Sequence, residues 1–163
     1  MSTKIEKLLK SYPELVRKRD CIIHQLAHFK GVSAEDVIVS MYTPRMDGER
    51  VQTSNLSDKT AQIALAYRER QATINQEWIK DLEKRFQLLN EEIVFIESAL
   101  QSLSGKLSPI MWDMVVEGMT WNAIAEKYYV SQRMVGKYRK KAISELEQLY
   151  DEHVRQTAAF LLD

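Results

Sequence analysis

The stretch TWNAIAEKYYVSQRMVGKYRKKAISEL, residues 120–146, decides the fold of the C-terminal part of the chain. Its apolar residues recur at helical spacing, and Thr120 and Ser131 stand where hydroxyl N-caps are favoured. We therefore predict two helices, one at 121–128 and one that starts at residue 132, joined by a tight turn. A shared apolar seam runs along both of them: Ile124, Ala125, Val130, Val135, Tyr138, Ala142 and Leu146.

The residues that this seam leaves outside are basic. From residue 128 to residue 144 the chain has five basic residues and no acidic one, whereas a merely solvated helix face usually mixes its signs. This predicts a helix-turn-helix whose second helix enters the major groove of double-stranded DNA. The candidate DNA-binding residues are Gln132, Arg133, Gly136, Lys137, Arg139, Lys140 and Lys141, with the caps Thr120 and Ser131. An ordinary helical hairpin with a wet basic face is the alternative.

Each candidate side chain suits a particular contact with DNA. The guanidinium of Arg133 matches O6 and N7 of guanine, and the amide of Gln132 matches adenine. Lys137 and Lys140 either read bases or only neutralise phosphates, and phosphate contacts carry no sequence information. We assign Arg139, Lys140 and Lys141 to phosphates.

The same seam resembles the promoter-reading helix-turn-helix of sigma-70 region 4, which recognises the −35 element. The resemblance implies that residues just after the capping Ser131, and those one turn later, reach base edges. Two positions depart from the pattern. Tyr129 stands where Gly is usual, and a left-handed backbone there costs about 1–2 kcal/mol. Gly136 stands where a long polar side chain is common, and a mid-helix Gly costs about 1 kcal/mol relative to Ala.

A third helix is expected before this pair. Ser108 as cap and Pro109 at the first helical position predict a supporting helix at 109–117, which Gly118 ends. We expect the two tryptophans of this region, Trp112 and Trp121, to pack between the helices.

The middle of the chain carries an uninterrupted heptad seam. It consists of Ile79, Leu82, Phe86, Leu89, Ile93, Ile96, Leu100 and Leu103, and it predicts a long helix that begins near Ser57–Asp58. A second seam, Leu8, Tyr12, Leu15, Ile22, Leu26 and Phe29, predicts an N-terminal helix that Pro13 kinks or restarts. The two helices pair antiparallel within the chain, or the seam forms a homodimer; a heptad alone does not choose.

The remaining segments complete an all-α fold class, a coiled-coil-like hairpin of long N-terminal helices plus a C-terminal helix-turn-helix domain. The domain boundaries are 1–104 and 105–163. Ser33 with Asp36 caps a short helix, although VIVSMY, residues 37–42, equally suits a strand. Residues 43–56 are read as a loop. The tail, residues 153–163, either packs against the fold or binds a partner, and packing is preferred.

A wider resemblance covers most of the chain. DGERVQTSNLSDKTAQIAL, residues 47–65, followed by a long helix and the sigma-like reader, resembles late transcriptional regulators of phages and prophages of Gram-positive bacteria, the ArpU and RinA type. The resemblance implies activation of late or morphogenetic genes in the bacterial cytoplasm, at the nucleoid, and contact with RNA polymerase. A phage small terminase subunit and a sigma-like polymerase adaptor are the alternatives.

Composition limits these functions. The chain has 23 basic and 23 acidic residues among 163, so DNA attraction must come from a local patch. We expect no signal peptide and no membrane span. Cys21, His24 and His28 share one helical face, but no fourth ligand is placed by the sequence, so we expect no metal and no cofactor. The chain has no phosphate loop, nucleophile elbow or carboxylate cluster, and we expect it not to be an enzyme.

Overall fold

A computed structural model describes residues 3–42 and 56–162 of the chain, and over these residues it is helical without strands. The six helices are α1 (Lys4–Ala27), α2 (Ala34–Tyr42), α3 (Leu56–Gln101), α4 (Leu107–Val115), α5 (Trp121–Tyr128) and α6 (Gln132–Leu162). The all-α prediction is confirmed. The predicted loop at 43–56 lies outside the described residues, except for Leu56, at which α3 begins.

The chain divides into two compact units. Unit 1 comprises Met1–Cys21 and Gln87–Asp163, and unit 2 comprises Ile22–Phe86. Helices α1 and α3 therefore each contribute residues to both units. The predicted boundary at residues 104 and 105 falls inside unit 1, and the division into two domains there stays a prediction.

The core of unit 1 is built on the C-terminal half of α3. Ile93, Ile96 and Leu100 of the heptad seam are fully buried, as expected for a helix whose apolar stripe is covered on both flanks. The buried residues that cover them come from the other helices of the unit: Ile5, Tyr12 and Leu15 of α1, Leu107 and Met111 of α4, and Ala142, Ile143 and Leu146 of α6. The seam is thus buried within one chain, which favours the intrachain pairing of the two long helices.

A buried hydroxyl also links α1 to α3 in unit 1. The phenol of Tyr12 donates to Glu97 Oε1 at 2.5 Å. Burial and the neighbouring carboxylate raise the pKa of Tyr12 to about 12, because both disfavour the phenolate. This hydrogen bond fixes the register of the two helices more narrowly than apolar contacts do.

Of the two outcomes predicted at Pro13, a kink or a restart of the helix, the restart does not occur. Helix α1 runs through it without a break, although an interior proline removes one backbone hydrogen bond and costs about 3 kcal/mol or more. Pro13 lies on the exposed side of α1, while its neighbours Tyr12 and Leu15 are buried. Their burial holds the helix together across the proline, so the prediction of a restart was wrong.

In unit 2, α2 resolves the choice between helix and strand in favour of helix. The Ser33 hydroxyl accepts from Asp36 N at 3.1 Å and donates to the Asp36 carboxylate at 2.7 Å, the expected cap. The preceding turn needs Gly31, whose φ is +87° and whose added Cβ would lie 3.0 Å from the Asn75 amide nitrogen. The Oδ1 of the Asn75 side chain accepts from Val32 N at 2.8 Å and so holds the turn against α3.

The C-terminal part of α6 departs from the expected packing. Residues 151–162 are all exposed, and Phe160 keeps 82% of its surface in contact with solvent. An open cleft of about 580 Å³ lies between this part of α6 and α3, lined among others by Leu88, Phe95, Val154 and Leu161. Apart from the contact between the rings of Phe95 and His153 at 4.6 Å, the tail is therefore not a docked strip. None of the helices in the described ranges has the length and apolarity needed to cross a membrane.

Candidate nucleic-acid interface

Helices α4, α5 and α6 form the three-helix arrangement that the sequence predicts. Their common core consists of Ile110 from α4, Ile124 and Ala125 from α5, and Val135 from α6, all buried. Ala125 is the small residue that lets α5 approach α6 closely. Helix α5 ends at Tyr128 and helix α6 begins at Gln132, as predicted.

The two predicted hydroxyl caps are present. Thr120 Oγ1 accepts from Ala123 N at 3.2 Å, and Ser131 Oγ accepts from Met134 N at 3.2 Å. Each satisfies one of the backbone donors that a helix leaves unpaired at its start. These two predicted site residues therefore set where α5 and α6 begin.

The predicted cap of the supporting helix was wrong. Helix α4 begins at Leu107 and not at residue 109, and Ser108 lies inside it, where its hydroxyl donates to the Gln101 carbonyl. The start is fixed instead by the preceding loop, because the backbone N–H and hydroxyl of Ser104 both donate to the carboxylate of Glu145 on α6. These hydrogen bonds lower the pKa of Glu145. Pro109 is tolerated in the first turn because no intrahelical donor is needed there.

The turn between α5 and α6 places a tyrosine in a left-handed conformation. Tyr129 has φ 53° and ψ 45°, and it is the sole non-glycine residue with positive φ in the described part of the chain. Val130 N donates to Ala125 O at 3.0 Å across this turn. The Tyr129 side chain is 96% exposed, so little packing offsets the strain that the sequence predicts.

A buried carboxylate joins α4 to α5. Asp113 Oδ2 accepts from Lys127 Nζ at 2.7 Å and from the Tyr128 hydroxyl at 2.6 Å. Burial raises the pKa of Asp113, but the hydrogen bonds from Lys127 and Tyr128 outweigh this and leave it lowered. Burial and the hydrogen bond to Asp113 raise the pKa of Tyr128 to about 12. This network holds the last turn of α5, and hence the turn into α6, against the supporting helix.

The structure brings most of the predicted DNA-binding residues to one exposed face of α6. We call Gln132, Arg133, Gly136, Lys137 and Lys140 the reading face; Lys141 is exposed at its flank. The cations Arg133, Lys137 and Lys140 form no ion pair with any residue that the structure describes. An anion that binds this face therefore does not have to displace a carboxylate from these three cations.

Gln132 is oriented before any ligand is present. Its amide nitrogen donates to Asn122 Oδ1 at 3.1 Å, and Asn122 in turn donates to Glu126 Oε1 at 3.4 Å. Both partners lie on α5, so the contact links the first residue of α6 to the neighbouring helix. Nothing in the sequence pattern indicates this pair, because Asn122 is simply an exposed polar residue of α5.

Arg139 lies apart from the other cations. Its Nη1 pairs with Glu6 Oε1 at 3.1 Å, and both side chains are mostly buried. Glu6 also forms a capping box with Thr3 at the start of α1, since each backbone N–H donates to the other side chain. The phosphate contact predicted for Arg139 would compete with this ion pair. Arg139 lies four residues after buried Val135 and three before buried Ala142, at the boundary between the buried stripe and the exposed face of α6.

Trp121, unlike Arg139, is more exposed than the sequence predicts. The sequence assigns it to the core, but it is 44% exposed and its ring lies over Gly136. A Cβ added to Gly136 would stand 3.4 Å from Trp121 Cζ3. Trp112, in contrast, is partly buried against the core of unit 1, as expected. Trp121 is thus a residue of the candidate site that sequence reasoning missed.

The residues considered for metal binding make no ligand cluster. Within residues 3–42 and 56–162, no group of three or more His, Cys, Asp or Glu side chains is placed to hold a metal ion. Cys21 is exposed, and the rings of His24 and His28 stack with centroids 4.2 Å apart. The two histidines stack on each other at the C-terminal end of α1, His24 in its last turn and His28 just after it.

No family profile, curated protein or solved structure matches the chain. The likeness to sigma-70 region 4 and to ArpU and RinA regulators therefore rests on the sequence pattern alone, and its functional content stays a hypothesis. The geometry of α4, α5 and α6 stands independently of it.

The Asp113 network predicts an acid-sensitive loss of stability. Asp113→Asn should lower the free energy of unfolding at neutral pH by about 1–3 kcal/mol, because a charged hydrogen bond in a buried position is lost. The folded-state pKa of Asp113 is below the ordinary value of 3.8, so its contribution is complete above that pH and disappears as the pH falls through the lower folded value. Urea unfolding at several pH values measures both effects. The exposed Asp151→Asn is the control, and an equal loss there would contradict the assignment.

The left-handed Tyr129 predicts a stabilising substitution. Tyr129→Gly removes about 1–2 kcal/mol of strain from the folded state. It also raises the conformational entropy of the unfolded chain, which costs about 0.4–1 kcal/mol of stability. The free energy of unfolding, measured by thermal or urea unfolding, should therefore rise by about 0.5–1 kcal/mol. Tyr129→Phe keeps the strain and should be neutral. Destabilisation by Tyr129→Gly would mean that the phenol ring makes contacts worth more than the strain.

Proposed function

We propose that the protein is a sequence-specific DNA-binding transcriptional regulator that inserts the N-terminal half of α6 into the major groove. The observation that carries this proposal is the reading face itself. It is exposed, carries only positive charge, and lies on a helix whose opposite side is buried in a three-helix core. That arrangement presents side chains to base edges from a rigid support.

The distribution of charge along α6 supports a defined footprint. The chain as a whole is neutral, so attraction to DNA arises locally and not from a polycationic surface. Lys141 is followed on the same helix by four acidic residues, Glu145, Glu147, Asp151 and Glu152, before the next Lys or Arg, which is Arg155. The thirteen residues from 132 to 144 span roughly 20 Å, enough to cross a major groove about 12 Å wide. Beyond them the acidic residues favour departure from the DNA.

The genes that the protein would control are inferred from the sequence resemblance alone. That resemblance favours activation of late or morphogenetic genes of a phage or prophage. Pull-down of DNA with the tagged protein in its host, followed by sequencing, tests both the DNA binding and the identity of the controlled genes. A sharp peak upstream of a late-gene operon supports the regulator, and peaks at a packaging start site would favour a small terminase subunit instead.

The open cleft beside α6 favours a second candidate function, as an adaptor that binds RNA polymerase or another protein. The cleft is lined mainly by apolar side chains, and Phe160, Leu161 and Leu162 are exposed at the same end of α6. Large contiguous apolar patches on a protein surface mark contacts with other proteins. Such an adaptor would retain polymerase without needing DNA. The two functions are compatible, because the cleft and the reading face use different parts of α6.

Two substitutions on the reading face should separate base reading from phosphate contact. Arg133→Ala should relax the base preference at one position, at a cost of about 1–3 kcal/mol for the preferred sequence. Lys140→Ala should weaken all sequences alike and reduce the dependence of log Kd on log salt by about one unit of slope. Fluorescence anisotropy on the operator and on a scrambled duplex measures both. Equal, sequence-independent losses would contradict the role of Arg133.

A charged substitution in the cleft tests the second candidate. Leu161→Glu should abolish retention of purified RNA polymerase by the immobilised protein, since it places a carboxylate among apolar side chains. Phe160→Glu is the matched control, because Phe160 is equally exposed but does not line the cleft. Retention that survives Leu161→Glu, or no retention by the unchanged protein, would remove the adaptor function.

A further inference from the structure

An aromatic ring shares the reading face with the cations of α6. Trp121, the first residue of α5, lies beside a notch of about 420 Å³ whose other lining residues are Arg133, Gly136, Lys137, Arg139 and Lys140. Every side chain that lines the notch besides the indole is therefore cationic. Among the residues that the structure describes, no carboxylate lines the notch, although Arg139 is paired with Glu6 beside it. The notch joins a flat apolar surface to a group of positive charges.

The absence of a side chain at Gly136 is what gives the indole its place. Gly136 has no positive φ, so its backbone does not require glycine, and a mid-helix glycine is unfavourable relative to alanine. An added Cβ would stand 3.4 Å from Cζ3 and 3.7 Å from Cη2 of Trp121. A methyl group just fits there, and anything longer must displace the ring. Helix α5 thus supplies the surface that α6 leaves open.

We propose that this notch binds the sugar–phosphate backbone of duplex DNA at the edge of the major groove, an inference that rests on the proposed function. Lys140 holds a phosphate, and the indole of Trp121 lies against the adjoining deoxyribose, whose C–H groups form an apolar surface. The first helix of a helix-turn-helix crosses the backbone while the second enters the groove, which is where the start of α5 puts this ring. Trp121 is then a positioning residue that sets how α6 enters the groove and carries no base preference.

The contact has a distinctive salt signature. A cation that meets a phosphate releases counterions, whereas an indole that meets a sugar releases none. Trp121→Ala should therefore weaken binding about five- to tenfold without changing the slope of log Kd against log salt. Lys140→Ala should change that slope. Because the contact is to the backbone, the loss should be the same for two duplexes of unrelated sequence.

The affinity measurement uses fluorescein-labelled duplexes of two unrelated sequences at several salt concentrations. Trp121→Phe keeps a flat apolar ring and should lose less affinity than Trp121→Ala, which separates contact from a general disturbance of α5. Circular dichroism shows whether each variant is folded. A Trp121→Ala protein that is folded and binds both duplexes like the unchanged protein overturns the inference. So does a loss confined to one of the two sequences, which would indicate a base contact.

Indole protection tests the contact without removing Trp121. In Trp78→Phe protein the emission comes from Trp112 and Trp121, and in Trp78→Phe/Trp121→Phe protein from Trp112 alone. Acrylamide is neutral, so DNA does not repel it. Duplex DNA should reduce acrylamide quenching in the first protein and leave it unchanged in the second. Equal quenching of the first protein with and without bound DNA overturns the inference.

The two proposals fail in distinguishable ways. If the unchanged protein does not bind either duplex even at low salt, the proposed function fails and the notch fails with it. If it binds with a clear salt dependence, but Trp121 stays open to acrylamide and Trp121→Ala binds normally, only the notch fails. In that case the reading face would remain as the whole of the DNA contact.

Discussion

The buried side of α6 is the constraint on which the rest of the structure depends. Val135, Ala142 and Leu146 belong to one continuous stripe, but they serve two clusters, since Val135 packs with α4 and α5 while Ala142 and Leu146 pack with α1 and α3. One helix therefore joins the small helix-turn-helix core to the larger core of unit 1. Because that stripe fixes the rotation of α6 about its axis, it also fixes which residues face outward. The basic face is a consequence of where the apolar side chains must go.

Sequence reasoning succeeded where a single periodicity decides the outcome. The α5–α6 pair, its two hydroxyl caps and the buried heptad seam of α3 all follow from spacing, because short-range geometry and burial agree there. It failed where a distant partner decides. The start of α4 depends on Glu145, forty-one residues after Ser104 along the chain, and the continuity of α1 through Pro13 depends on what Tyr12 and Leu15 pack against.

The residues of the candidate site show the same difference between positions set by helical spacing and positions set by a distant partner. Exposure of Arg133, Lys137 and Lys140 could be read from the period of α6 alone. The placement of Arg139 and Trp121 could not be settled so simply, because each lies at the boundary between the buried stripe and the exposed face. There the outcome rests on a partner from another helix, Glu6 for Arg139 and Gly136 for Trp121. Boundary positions of an amphipathic helix are where one-dimensional patterns carry least information.

The unbroken course of α6 has a mechanical consequence. From residue 137 to residue 162 the helix contains neither glycine nor proline, so it has no natural hinge between its basic start and its exposed apolar end. Such a rod transmits a twist or a tilt along its whole length instead of absorbing it. If a contact rotated or tilted the last three turns of α6, the first three turns would rotate or tilt by nearly the same angle. A force on the C-terminal end of α6 would therefore change the orientation of the cations at its N-terminal end.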